Sequence, residues 1–205
     1  ATLRERGTFL LNLMSSPGSG KTTTLTRTIE ALKDELNIAV MEADIDSDVD
    51  ARTILDTGVR AIQLHTGGMC HLDAYMTEQG LDELVRGAED AAHADAAAGD
   101  AVEAGAECPA GSTDEEAVAS SAAPVKAAGT GDPAGASVDL AILENVGNLV
   151  CPAEFDTGAS ANAMILSVPE GDDKPLKYPL MFSICDVVLV NKIDALPVFD
   201  TFSLS

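Results

Sequence analysis

Phe9-Leu10-Leu11-Asn12-Leu13-Met14-Ser15-Ser16-Pro17-Gly18-Ser19-Gly20-Lys21-Thr22-Thr23 is the stretch from which the rest of the chain can be read. Its first half is an apolar run too short to span a bilayer, which needs about 20 apolar residues, so residues 9–14 are expected to be a buried strand. Its second half carries the Gly-Lys-Thr core of a Walker A phosphate loop, with Ser15 where the strict pattern has its first glycine. A helix is expected from Lys21 to Leu36. Glycines let backbone N–H groups turn inward on phosphate at a helix N-terminus that already favours anions. In this reading Ser16, Gly18, Ser19, Gly20, Lys21, Thr22 and Thr23 hold the nucleotide. Lys21 places a positive charge on the outer phosphates, and the Thr22 hydroxyl ligates Mg2+.

Working outward, Asn37 breaks the helix and Ile38–Ala43 reads as a second strand. A helix over Asp50–Thr57 ended by Gly58, a short strand Ala61–Leu64 and a helix His71–Leu84 follow. Val138–Leu143 and Val187–Val190 are continuous apolar runs of the kind that parallel sheets bury on both faces. Strands alternating with helices predict an α/β fold, a doubly wound and mostly parallel sheet. Asp44 and Glu144 each follow a strand, the end at which such sheets place ligands. Both are candidates to hold Mg2+ and to orient an attacking water, alongside Lys21 in the catalytic set. Asp46, Asp48 and Asp50 read as solvated charges of the same loop.

Late in the chain, Asn191-Lys192-Ile193-Asp194 follows the last apolar run. A carboxylate at Asp194 can accept from guanine N1–H and from its exocyclic amine, a donor pair adenine lacks. Asn191 can reach the other purine edge, and the Lys192 stem can lie along the ring. With a phosphate loop in the same chain, this favours GTP over ATP.

Composition narrows the partners. The chain has 205 residues, 34 acidic against 12 basic side chains and a net charge of −22, which repels nucleic acid and anionic membranes. No signal-peptide or membrane-spanning pattern is present, so a cytoplasmic protein is expected, on a surface that suits high salt. Residues 87–136 lack Ile, Leu, Met and aromatics and carry ten acids against the single base Lys126. They are expected to be a disordered acidic insert, because so little apolar surface cannot offset the entropy of ordering. Four cysteines in such a chain suit metal ligation, reactive thiols or core packing better than disulfides. Cys70, His71 and Cys151 suit Zn2+ or Ni2+, although spacing alone leaves core thiols as an equal reading. Cys185 reads as core. Cys108 and His93 fall in the insert and are given no role.

Four blocks carry a resemblance: residues 12–23, Cys70-His71-Leu72-Asp73-Ala74, Glu144-Asn145-Val146-Gly147-Asn148-Leu149-Val150-Cys151-Pro152 and residues 170–179. In this order they resemble the HypB family, over residues 8–86 and 137–199. The resemblance implies a SIMIBI-type P-loop GTPase domain formed by residues 1–86 and 137–205. It also implies a homodimer formed on GTP binding and a Ni/Zn site from Cys70, His71 and Cys151. Delivery of nickel towards a hydrogenase large subunit, together with the metallochaperone HypA, is implied too. Gly147 is placed beside the γ-phosphate, so nucleotide state and metal affinity are expected to be coupled through Glu144–Cys151. Gly68 and Met69 depart from the family's Lys-Gly before Cys-His, and the pattern is expected to be incomplete after Asp194. A urease-accessory-type GTPase and a non-hydrolysing metal-binding protein are the alternatives; the first of these families carries a Cys-Pro-His motif that this sequence lacks.

Overall fold

The computed structural model describes residues 3–43, 53–64, 71–84, 137–200 and 202–203. Asp44, Cys70, the 87–136 insert and the acids at 46, 48 and 50 lie outside the described residues. The chain runs α1 (Leu3–Arg6), β1 (Phe9–Ser15), α2 (Lys21–Leu32), β2 (Ile38–Glu42), α3 (53–55 as described), β3 (Arg60–Gln63), α4 (74–84) and β4 (Leu140–Glu144). It continues with α5 (Cys151–Glu154), β5 (Ala161–Ser167), α6 (Lys174–Lys177), α7 (Pro179–Ile184) and β6 (Val187–Asn191).

Among the described residues six strands form one sheet in the order β3-β2-β4-β1-β5-β6, and every neighbouring pair is parallel. All strand C-terminal ends therefore open on one edge, where the loops after β1, β4 and β6 meet. Alternation along β1 sends Leu11 and Leu13 to one face and Leu10, Asn12 and Met14 to the other. On the first face Leu13, Ile142, Val40 and Ile165 pack with Leu25 and Ile29 of α2 and Ile54 of α3. On the second, Leu10, Met41 and Leu143 pack with Leu81 and Leu84 of α4. Further along that face Met14 and Met164 meet Met181 of α7 and Leu149. Each such side chain, fully buried, contributes about 1.5–3 kcal/mol.

The elements depart from expectation in four places. Helix α2 stops at Leu32, and the next residues close in turns, with Glu35 and Leu36 N–H both on the Leu32 carbonyl at 2.9 Å. Helix α4 begins at residue 74, where the Asp73 carboxylate accepts from Met76 N–H at 2.9 Å. Strand β5 is a full member of the sheet that the apolar pattern does not single out. Finally, Val187–Val190 is not buried on both faces: its four side chains are 37–51% exposed. The reason is position, since among the described residues β6 is the last strand of the sheet and pairs with β5 alone.

One polar feature crosses the second face. Asn12 and Asn145 are buried to 2% and 1% exposure among the apolar side chains. Asn145 Nδ2 donates to Asn12 Oδ1 at 3.0 Å, and Asn12 Nδ2 donates to Asn162 Oδ1 at 2.9 Å.

Candidate functional site

The phosphate loop leaves β1 at Ser15 and enters α2 at Lys21. Gly18 and Gly20 hold positive φ of 72° and 97°, the left-handed region that side chains resist. At Gly20 a Cβ would also lie 2.5 Å from Asn191 Nδ2. Ser19 Oγ is buried and has no hydrogen-bond partner. An orphaned hydroxyl at a glycine turn on a helix N-terminus suits an anion that brings its own oxygens.

Glu144, at the end of β4, is 2% exposed and faces the side of the sheet that α2 covers. The Thr22 hydroxyl donates to its Oε1 at 2.9 Å, and Lys21 Nζ stands 3.8 Å from the same oxygen. A hydroxyl and a carboxylate converging beside a lysine form the hard-oxygen donor set that Mg2+ accepts, so the residues fit that ion. Three residues on, a Cβ at Gly147 would lie 3.2–3.3 Å from Pro17, two of those contacts being Pro17 backbone atoms. The Glu144–Gly147 segment thus lies against the phosphate loop at both ends.

The β6 end closes the same loop from the other side. Asn191 Nδ2 donates to Ser19 O at 2.9 Å, and Asn191 Oδ1 accepts from Lys192 N–H at 2.8 Å. Lys192 is the sole non-glycine residue with positive φ among those described, at 55°, and its Nζ donates to Gly18 O at 2.6 Å. A left-handed lysine costs about 1–2 kcal/mol, so these two hydrogen bonds hold a strained turn in place. Asn191 Nδ2 therefore braces the loop, while its Oδ1 holds the Lys192 backbone within its own turn. Asp194 lies exposed in the following short 3-10 helix, and Thr23 is exposed on α2.

The metal-ligand candidates come only partly into view. The Asn148 carboxamide accepts from Val150 N–H at 2.7 Å and Cys151 N–H at 3.3 Å, which starts the short helix α5. Phe155, just beyond that helix, stacks on the His71 ring with centroids 3.5 Å apart and planes 11° from parallel. The fold thus brings His71 to the segment that Cys151 opens. Among the described residues no group of three or more His, Cys, Asp or Glu side chains is placed to hold a metal ion.

Cys185, expected in the core, is half buried at the margin of the cluster that contains Met164 and Met181. Burial, with a smaller contribution from the charge of Asp186, pushes its thiol up to about 11. At pH 8 about one molecule in a thousand then carries the thiolate, roughly a hundredfold less than an ordinary cysteine. Maleimide labelling followed by peptide mapping should find Cys185 the slow thiol in the folded chain and an ordinary one in guanidinium. Rapid labelling of Cys185 in the folded protein would contradict this placement.

Sequence reasoning gave no role to Pro17 against Gly147, to Phe155 or to the asparagine chain. The available signal for the last was a polar residue inside the apolar run Leu10-Leu11-Asn12-Leu13-Met14.

A parallel sheet with a glycine loop between its central strand and the next helix, lysine and threonine facing a buried carboxylate, defines a P-loop nucleotide-binding domain. No described helix is long and apolar enough to cross a membrane. The chain belongs to the CobW/HypB/UreG nucleotide-binding domain family, whose model matches residues 9–203. It is 41% identical over 195 residues to the hydrogenase maturation factor HypB of Rhizobium leguminosarum bv. viciae, covering 95% of this chain and 49% of that protein. It thus spans about half the length of that relative. The crystal structure of HypB from Helicobacter pylori in complex with nickel superposes with a TM-score of 0.71 at 36% identity, covering 98% of this chain and 72% of that one. The structure of the hydrogenase maturation factor HypB from Archaeoglobus fulgidus gives 0.67 at 29% identity, covering 96% and 72%.

Proposed function

We propose that this chain is the nucleotide-handling part of a hydrogenase maturation factor, binding GTP with Mg2+ and hydrolysing it slowly to govern the transfer of nickel. The observation that carries the reading is the convergence of Lys21 and Thr22 on buried Glu144, with Gly147 and the Asn191-Lys192 brace closing the same loop. Family membership supports the nucleotide, and the nickel-bound relative supports the cargo.

In this reading the backbone of Ser16–Gly20 and the Ser19 hydroxyl receive the phosphates, and Lys21 shifts its ammonium from Glu144 to the outer phosphates. Thr22, Glu144 and Asp44 hold Mg2+, which supplies charge neutralisation on the phosphate oxygens. Glu144 or Asp44 orients the attacking water. Asp194 reads guanine. Nickel, or zinc in its place, is held by Cys70, His71 and Cys151 and passes towards a hydrogenase large subunit, in concert with HypA and with GTP favouring a homodimer. Gly147 against Pro17 at one end of its segment and Cys151 at the other offer a path between nucleotide and metal. Equal Ni2+ affinity in GDP-bound protein and in protein bound to a non-hydrolysable GTP analogue would contradict that path.

Asp194→Asn tests the base assignment. It removes one charge-assisted acceptor from guanine, so GTP binding should weaken by roughly 1.5–3 kcal/mol, while ATP binding keeps its parent value. Calorimetric titration of both nucleotides in both proteins measures this, and unchanged GTP affinity in the variant would remove Asp194 from the site.

A further inference from the structure

A chain of three asparagines runs across the second face of the sheet, from α7 to the segment after β4. Ordered from its outer end, Asn162 Nδ2 donates to the Ile184 carbonyl at the end of α7 at 3.4 Å. Asn12 Nδ2 donates to Asn162 Oδ1 at 2.9 Å, and Asn145 Nδ2 donates to Asn12 Oδ1 at 3.0 Å. The chain ends where Asn145 Oδ1 accepts from Val146 N–H at 2.9 Å. All four bonds run in one sense. Turning the Asn12 amide over would set oxygen against the Asn162 oxygen and nitrogen against the Asn145 nitrogen, so each amide fixes its neighbours.

The far end of this chain lies at the site. Glu144, the last residue of β4, and Asn145, the residue after it, face opposite sides of the sheet. Glu144 turns to Thr22 and Asn145 to Asn12. Asn145 N–H also donates to Leu13 O at 3.0 Å, so its backbone and its amide are both tied to β1. Only Val146 separates it from Gly147, the residue set against Pro17. The spacing between Glu144 and Gly147 along the phosphate loop is therefore held from the opposite face of the sheet.

We infer that Asn12, Asn145 and Asn162 are positioning residues that hold the Glu144–Gly147 segment in register with the phosphate loop, and so set the preference for a nucleotide that carries a terminal phosphate. The inference rests on the proposed function, because it assumes that this segment meets the γ-phosphate. Stability alone does not ask for an amide at position 12: its neighbours on that face, Leu10 and Met14, are apolar and fully buried. Amides in such surroundings cost free energy unless each is satisfied, and a satisfied chain selects one arrangement.

Four variants test this, each measured for its thermal midpoint and for binding of GDP and of a non-hydrolysable GTP analogue with Mg2+. Asn12→Leu takes away the acceptor of Asn145. Asn162→Leu breaks the outer link. The double variant Asn12→Leu/Asn162→Leu replaces two bonded amides by apolar groups of similar shape, which relieves the mismatch and recovers stability. It still leaves Asn145 without its acceptor. Leu10→Ala opens a cavity on the same strand and face outside the chain of amides. Asn12→Leu and the double variant should lose on the order of tenfold in analogue affinity with GDP affinity within about twofold of the parent, as one net hydrogen bond allows. Asn162→Leu should show a smaller loss of the same kind. The double variant should melt above Asn12→Leu, and Leu10→Ala should melt lower than the parent with its analogue-to-GDP ratio intact. A double variant that regains analogue affinity together with its midpoint would overturn the inference, as would GDP and analogue weakening equally. The same holds for a ratio shifted as far by Leu10→Ala. Failure of the parent to bind the analogue would instead overturn the proposed function, and is seen before any substitution is made.

Discussion

Lys21→Met is expected to damage the protein twice. The side chains of Lys21 and Glu144 are 12% and 3% exposed, so their ion pair is screened from water despite its 3.8 Å length. Removing one partner of a buried pair costs about 3 kcal/mol or more, because the buried carboxylate loses the attraction of the Lys21 charge and keeps its desolvation cost. Denaturant unfolding of the nucleotide-free protein should show that loss. Lys21→Met/Glu144→Gln should recover most of it, since a neutral amide can still accept from Thr22. Nucleotide affinity should fall roughly ten- to a hundredfold with the loss of a charge-assisted phosphate contact, and the second substitution should not restore it. A Lys21→Met chain as stable as the parent would show that the pair is not the buried contact described.

Gly20→Ala is expected to disable the same loop through geometry. A φ of 97° costs a side-chain-bearing residue about 1–2 kcal/mol. The new methyl would meet Asn191 Nδ2 at 2.5 Å and break that amide's bond to Ser19 O. One lost hydrogen bond adds about 0.5–1.5 kcal/mol, and the displaced Asn191 draws Lys192 away from Gly18. Both stability and nucleotide affinity should drop. Asn191→Ala in the Gly20→Ala background should return part of the lost stability by clearing the clash and leave the strain at φ. If Gly20→Ala folds and binds as the parent does, the brace between β6 and the loop is not what holds this turn.

The sequence made the phosphate loop legible because its signal is local: a strand, a glycine turn and a helix follow one another within 15 residues. Glu144 could be singled out for the same reason, as an acid closing an apolar strand. β5 was not, since Ala161-Asn162-Ala163 opens it with small and polar residues and Asn162 faces an amide rather than the core. The exposure of β6 was equally hidden: Val187–Val190 is as apolar as a central strand, and nothing in four residues says that they lie at the end of the sheet order. The brace from Lys192 to Gly18 joins residues 174 apart. The asparagine chain draws on three separate segments, and its pairing depends on the register Asn12↔Asn162 that only the folded sheet supplies. Cys70 and Asp44 lie outside the described residues, so the metal-ligand set and one Mg2+ carboxylate remain sequence readings.

The proposed function stands or falls on whether this domain takes guanine nucleotide with Mg2+. It is tested most directly by titrating GTP and ATP, each with Mg2+, into the nucleotide-free chain in a calorimeter at one salt concentration. One saturable site is expected for GTP, with Mg2+ needed for full affinity, and ATP should bind tenfold or more weaker, about 1.4 kcal/mol, from the base contacts alone. ATP binding as tightly as GTP, or neither nucleotide binding at all, would contradict it.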